Sequence, residues 1–328
     1  VPVAKHLWML FLGGVIISSI AFAPLLIDST NIGFILLALF VAIPAWLVGF
    51  STPVFAWWSF SSSRFHLSTT RQQGEAMLIA GMLSTFPAII INSFITPGAV
   101  LLFSGGQASA TVIENITVIV SAPVGEELCK ALAVFSLAGL IDSKKRGFQV
   151  GFTVGLGFAL LENLQYILLS LFAGEVVAFS YGLTSVVRGI GSIPGHAMWT
   201  ACSGYAIGHI FEQRKQPNQI PDVNQWNLVN PIESGTSTSY FTSDEYRRTT
   251  MFSKSSDLQL PTSLPVMLSI GMFGHAFWNG SSVFMSYVSR SLGPVVGLVA
   301  ELAWIVVLIT SLWVVGRFVI AAAMEEGI

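Results

Sequence analysis

Residues 112–140 read VIENITVIVSAPVGEELCKALAVFSLAGL. The run is long enough to cross a bilayer, for which about 20 mostly apolar residues suffice. Yet Glu126, Glu127 and Lys130 stand well inside it, where each ionisable group costs on the order of 2.5–3.5 kcal/mol. A helix reconciles the two facts: Glu126 and Lys130 are four apart and Glu127 and Lys130 three apart, so the lysine can neutralise one carboxylate while the other stays reactive. The segment reads as a membrane helix carrying charge for a purpose.

Seven other segments share its length and apolarity, at roughly 7–27, 31–58, 76–96, 147–173, 182–211, 262–289 and 292–320. Pro44 and Pro53 predict an early end for the second, with Phe55 to Phe60 lying at the interface, and 176–190 reads as partly interfacial. The first reads as a retained helix, being too long for a signal-peptide core and lacking a small-residue cleavage site. Across all 328 residues only 10% are charged and 53% are hydrophobic, against roughly 25% charged in a soluble domain; the mean hydropathy is +0.72. A chain so poor in charge uses lipid as its solvent. A net charge of −2 supplies no phosphate-facing field, so nucleic acid is not an expected partner. Cys129 and Cys202 lie in apolar runs and make no disulfide framework. The fold class is therefore all-α: a polytopic transmembrane helical bundle of about eight helices, residues 1–328 forming a single membrane domain in the cell membrane.

Orientation follows from the basic residues. With eight spans, Lys5, Arg64, Arg71, Lys144, Lys145, Arg146, Arg214, Lys215, Arg247, Arg248, Lys254 and Arg317 share a face with the termini, and Arg290 alone marks the other. Positive charge stays inside, so both termini are expected to be cytoplasmic. Residues 212–261, rich in Ser, Thr, Asn and Pro, read as a flexible cytoplasmic loop. Gly151/Gly155 and Gly204/Gly208 are small-xxx-small faces for close helix packing.

Glu126, Glu127, Lys130, Glu162, Arg188, His196, His275 and Glu301 all fall within apolar spans, with Asn163 and Asn279 beside them. Counting to the cytoplasmic end of each helix gives 16 residues for Glu126, Glu162, His196 and Glu301, and 14 for His275. At about 1.5 Å per residue these groups occupy one layer, roughly 21–24 Å above the cytoplasmic markers. Carboxylates, imidazoles and an amide in one water-poor layer suit hydrolysis. A glutamate can take a proton from water; histidines can bind a metal or face an oxyanion; asparagine donates without titrating. Glu301 is expected to pair with Lys130 or Arg188. There is no Gly-x-Ser-x-Gly and no His-Glu-x-x-His. A proton-coupled transporter or channel using the same groups as a relay, or an inactive scaffold that binds membrane peptides, stands as the alternative.

Four short patterns follow one another along the chain: Glu126-Glu127-x-x-Lys130, Glu162-Asn163-x-x-Tyr166, Arg188 with His196 eight residues on, and His275-x-x-Trp278-Asn279. Together they resemble the PrsW family of intramembrane proteases, relatives of the CAAX prenyl endopeptidases and bacteriocin-processing proteases, over about 112–290. The resemblance implies a membrane-embedded endopeptidase acting on membrane-associated or single-span proteins or peptides. It implies Glu126, Glu127, Glu162, His196, His275 and Asn279 as catalytic groups, supported by Lys130, Asn163, Tyr166, Arg188, Trp278 and Glu301 (the last from depth alone). Two mechanisms stay open, a zinc centre held by His196, His275 and Glu162, and a metal-free glutamate-activated water.

Overall fold

The computed structural model is all-helical and describes residues 4–65, 67–170, 177–215 and 259–325. Eight continuous rods run through them: α1 (Ala4–Ile27), α2 (Ile32–Arg64), α3 (Arg71–Phe103), α4 (110–136), α5 (Lys144–Ser170), α6 (177–215), α7 (Leu264–Leu292) and α8 (Pro294–Glu325). Within α1, α2, α3, α5 and α8 lie segments long and apolar enough to cross a membrane. The other three rods carry Glu126, Glu127, Lys130, Arg188, His196 and His275. The loop expected at 212–261 falls almost wholly outside the described residues.

Neither of the two interfacial segments expected from the sequence interrupts a rod. Phe55 to Phe60 stay within α2, which runs on to Arg64, and Val177–Val187 continues through Arg188–Ser192 into Ile193–Lys215. The reason is a repeated device. Four π-turns, Ala38–Ala42, Ile91–Ile95, Thr117–Ser121 and Arg188–Ser192, each end two residues before a proline: Pro44, Pro97, Pro123 and Pro194. Proline lacks an N–H and its ring collides with the carbonyl four residues back. One wider turn moves that carbonyl aside and lets the helix continue. It also releases carbonyls, which side chains of other helices take up. Asn279 Nδ2 donates to Val118 O at 3.0 Å, Trp57 Nε1 to Gly189 O at 3.0 Å and Trp313 Nε1 to Ile190 O at 2.8 Å.

The bundle is built around α5. Its membrane segment is 67% buried, against 11% for α8, whose sides are left to lipid. Backbone approach explains the difference. A Cβ on Gly151 would lie 2.5 Å from Thr200 O, and one on Gly208 would lie 2.5 Å from Ser143 O. The two small-residue faces thus meet, as their spacing predicted. Gly155 lies against the backbone of His196, and Gly81 of α3 against that of Val154. These contacts set α5 between α3 and α6 and bring Glu162 to His196.

Candidate active site

Seven ionisable side chains from four helices meet in one cluster. On α4, Lys130 Nζ donates to Glu127 Oε1 at 2.5 Å and lies 3.9 Å from Glu126 Oε2. On α5, Glu162 Oε2 accepts from Arg188 Nη2 at 2.6 Å and lies 2.7 Å from His196 Nε2. On α7, His275 Nδ1 is 3.2 Å from Glu127 Oε1 and Nε2 is 3.9 Å from Glu126 Oε2. Lys130 and Glu127 are 0% exposed, and Glu126 is 5% exposed. The depth count along separate helices thus corresponds to direct contact between them.

The hydrogen bonds assign work to each group. A lysine ammonium only donates, so His196 Nδ1, 2.9 Å from Lys130 Nζ, accepts, and His196 Nε2–H points at Glu162. Both ring nitrogens of His196 are engaged. Glu127 receives Lys130 and the His275 Nδ1–H, with Thr200 Oγ1 at 3.4 Å from its second oxygen. His275 therefore keeps its Nε2 lone pair directed toward Glu126. Glu126 Oε1 accepts from Asn92 Nδ2 at 3.2 Å, while Oε2 is buried with no hydrogen-bond partner. Three carboxyl groups face two cations here, and Glu126 is the one with the weakest pairing.

The supporting residues divide between two tasks. Arg188 Nε donates to Asn163 Oδ1 at 2.5 Å, and its guanidinium lies 4.1 Å from the centre of the Tyr166 ring. The pattern Glu162-Asn163-x-x-Tyr166 is thus a three-sided clamp on one arginine. Trp278 packs on Gly191, where a Cβ would come within 2.6 Å of the indole. Asn279 spends its amide N–H on the Val118 carbonyl, a contact that ties α7 to the π-turn of α4 rather than to the carboxylates.

Two sequence expectations change. Glu301 makes no ion pair with Lys130 or Arg188, whose partners are Glu126, Glu127 and Glu162 among the described residues. It lines a separate cavity of about 300 Å³ with Val187, Trp278, Ser282, Ser286 and Trp304. Depth places a residue in a layer but does not set which way it faces around its helix. The converging metal-ligand group also differs from the expected one. Glu126, His196 and His275 bring ligand atoms within 4.8 Å of one another, whereas Glu162 Oε2 already serves Arg188 and His196.

Sequence reasoning passed over four residues at the site. Trp199 stacks on His275 (4.5 Å between rings, 10° between planes) and meets His196 edge-on at 5.3 Å. Phe158 lies under the Lys130 ammonium at 4.2 Å. Thr200 reaches Glu127, and Asn92 reaches Glu126. Helical spacing was the available signal for three of them: Trp199 and Thr200 follow His196 by three and four residues, and Phe158 precedes Glu162 by four. For Asn92 the signal was an amide in an apolar run five residues before a proline. Its removal has a defined expected outcome. Asn92→Ala should lower kcat/KM on a membrane-anchored peptide reporter by about 10- to 100-fold, the usual loss when a supporting hydrogen bond to a site carboxylate goes. Asn92→Asp should not rescue it, because a second carboxylate would face Glu126.

Residues 73–231 match the family model for the PrsW family of intramembrane metalloproteases. Over those residues the chain is similar to the PrsW family. The match contains Asn92, the glutamate pair, Glu162, Arg188 and His196 but ends before His275, which joins the cluster through tertiary contact. The PrsW family is one of membrane proteases, and this chain is an all-helical membrane protein with several candidate transmembrane helices. No curated protein and no solved structure matches the chain.

Proposed function

We propose that the chain is an endopeptidase of the cell membrane that hydrolyses peptide bonds of membrane-associated or single-span proteins. In this reading it is one membrane domain of eight spans with both termini cytoplasmic, and residues 212–261 are a flexible cytoplasmic loop. One observation carries the hydrolytic centre. Glu126 Oε2, buried and without a donor, belongs to a group with His196 and His275 whose ligand atoms lie within 4.8 Å.

The donors fit a divalent cation such as Zn²⁺. Two imidazoles and a carboxylate are a known catalytic set that leaves a position open. The free His275 Nε2 and the orphaned Glu126 Oε2 are where such an ion would be held, and His196 would join them by giving up its bond to Lys130 or to Glu162. When bound, such an ion would supply Lewis-acid activation of a water and of the scissile carbonyl. The chain's own residues orient the centre. Asn92 holds one oxygen of Glu126 and so aims the other. Glu127 fixes the tautomer of His275, as carboxylates behind metal-binding histidines do. Lys130 and Glu162 hold the His196 ring between them. Arg188 keeps Glu162 paired in a medium where a lone carboxylate is costly.

His196 supports a second, metal-free reading, since both its nitrogens are taken. There Glu126 Oε2 accepts the proton of the attacking water. The Lys130 ammonium, 3.9 Å from that oxygen, faces the developing oxyanion. Asn279, committed to Val118, then serves the helix contact.

The test reconstitutes the purified chain with a single-span reporter and measures cleavage, bound metal and proton flux in one preparation. Cleavage that chelation abolishes and added Zn²⁺ restores selects the metal centre; cleavage by metal-free protein selects the glutamate mechanism. No cleavage of membrane reporters, alongside a pH-driven flux that His275→Ala removes, overturns the protease assignment.

A further inference from the structure

A cavity of about 480 Å³ lies behind α6, away from the Glu/His cluster. Pro194 and Met198 line it, each two residues from His196, and two residues turn a helix face by roughly 160–200°. The cavity and the cluster therefore flank α6 on opposite sides. Trp57 and Phe60 of α2 and Trp313 of α8 supply further walls, and among the described residues the lining includes no acidic side chain. Its charged members are Arg64 and Arg317. Arg64 ends α2, and Arg317 stands two turns before the end of α8. The Trp57 and Trp313 indoles donate to the π-turn carbonyls of Gly189 and Ile190, so those two N–H groups are satisfied and between the arginines and the π-turn the walls are mostly apolar. A ligand matching this space is a long apolar chain with an anion at one end.

We propose that the cavity binds one anionic glycerophospholipid, with an acyl chain along the indoles and the phosphate between Arg64 and Arg317. A guanidinium offers five N–H donors, so it can hold a phosphate while keeping another contact. Basic pockets between membrane helices are suited to such headgroups. The chain end would abut Ile190 and Pro194, at the π-turn that carries Arg188.

Native mass spectrometry of the full chain, mixed with equimolar phosphatidylglycerol and phosphatidylcholine, tests this. One phosphatidylglycerol should be retained with a roughly 10- to 30-fold preference, the amount two arginines contribute near a membrane surface. Arg64→Ala/Arg317→Ala should bring the preference close to one. Gly316→Leu keeps both arginines and places a branched side chain at the cavity wall; a Cβ at Gly316 would meet the Met198 side chain only at 3.7–3.9 Å, so the substitution starts without a backbone clash, and retention should be lost. Equal retention of the two lipids by the unaltered chain overturns the proposal, as does a preference that survives the double arginine change. Unchanged retention by Gly316→Leu also overturns it, by placing the lipid on the outer surface of the bundle.

Discussion

Glu126→Gln is expected to lower kcat on a single-span reporter by about 10²- to 10⁴-fold, the range associated with a positioned proton acceptor, while the thermal midpoint stays unchanged or rises. The two halves of that result have one cause. Glutamine has the shape of glutamate, and its carbonyl can still accept from Asn92 as Glu126 Oε1 does. Its amide nitrogen would replace an oxygen that has no hydrogen-bond partner and would face the free Nε2 of His275, 3.9 Å away. A donor there meets an acceptor. Folding gains or stays level, but the centre loses its carboxylate. Kinetics and a thermal melt on one preparation check both halves. Retained cleavage would remove Glu126 from the chemistry, and a large fall in the melting midpoint would show that its charge is structural.

Lys130→Met is expected to act the other way, on stability first. Lys130 and Glu127 are 0% exposed, and the ammonium bonds Glu127 at 2.5 Å while lying over Phe158 at 4.2 Å. Methionine fills similar volume and leaves Glu127 a buried carboxylate without its cation, a change that costs about 3–5 kcal/mol. His196 Nδ1 loses its donor too, so the ring that faces Glu162 is freed to turn. Adding Glu127→Gln should recover much of the stability, because the pair is then replaced as a unit, but not the activity, because a neutral amide holds His275 less firmly. Denaturation in mixed micelles measures the recovery. If the double change is no more stable than Lys130→Met, the cost does not come from the stranded carboxylate.

Much of the site was legible because charge in lipid is expensive. Glu126, Glu127, Lys130, Glu162, Arg188, His196 and His275 stood out as ionisable groups in apolar runs, and residue counting along separate helices put Glu126, Glu162, His196 and His275 at one depth. That reasoning has a limit visible at Glu301, which has the depth but faces another cavity. Rotation about a helix is set by packing, and α8 is the least buried of the candidate spans. The same limit hid Asn92 and Trp199, a neutral amide and an indole whose roles exist only once α3 meets α4 and α6 meets α7.

Composition and spacing by themselves determined an all-helical membrane chain, the approximate ends of its helices, the small-residue faces that pack and the set of charged groups with reason to meet. Each of these depends on local quantities, the apolar length, the helical period and the cost of a charge at a given depth. Only the tertiary structure decided which oxygen goes unpaired, that Glu126 converges with both histidines while Glu162 meets His196 and Arg188, and that Pro44, read as ending the second helix early, is carried through by a π-turn. Those outcomes turn on ångström-scale approach between helices. Glycines at 151, 155, 204 and 208 permit that approach, but the neighbouring backbone fixes its register.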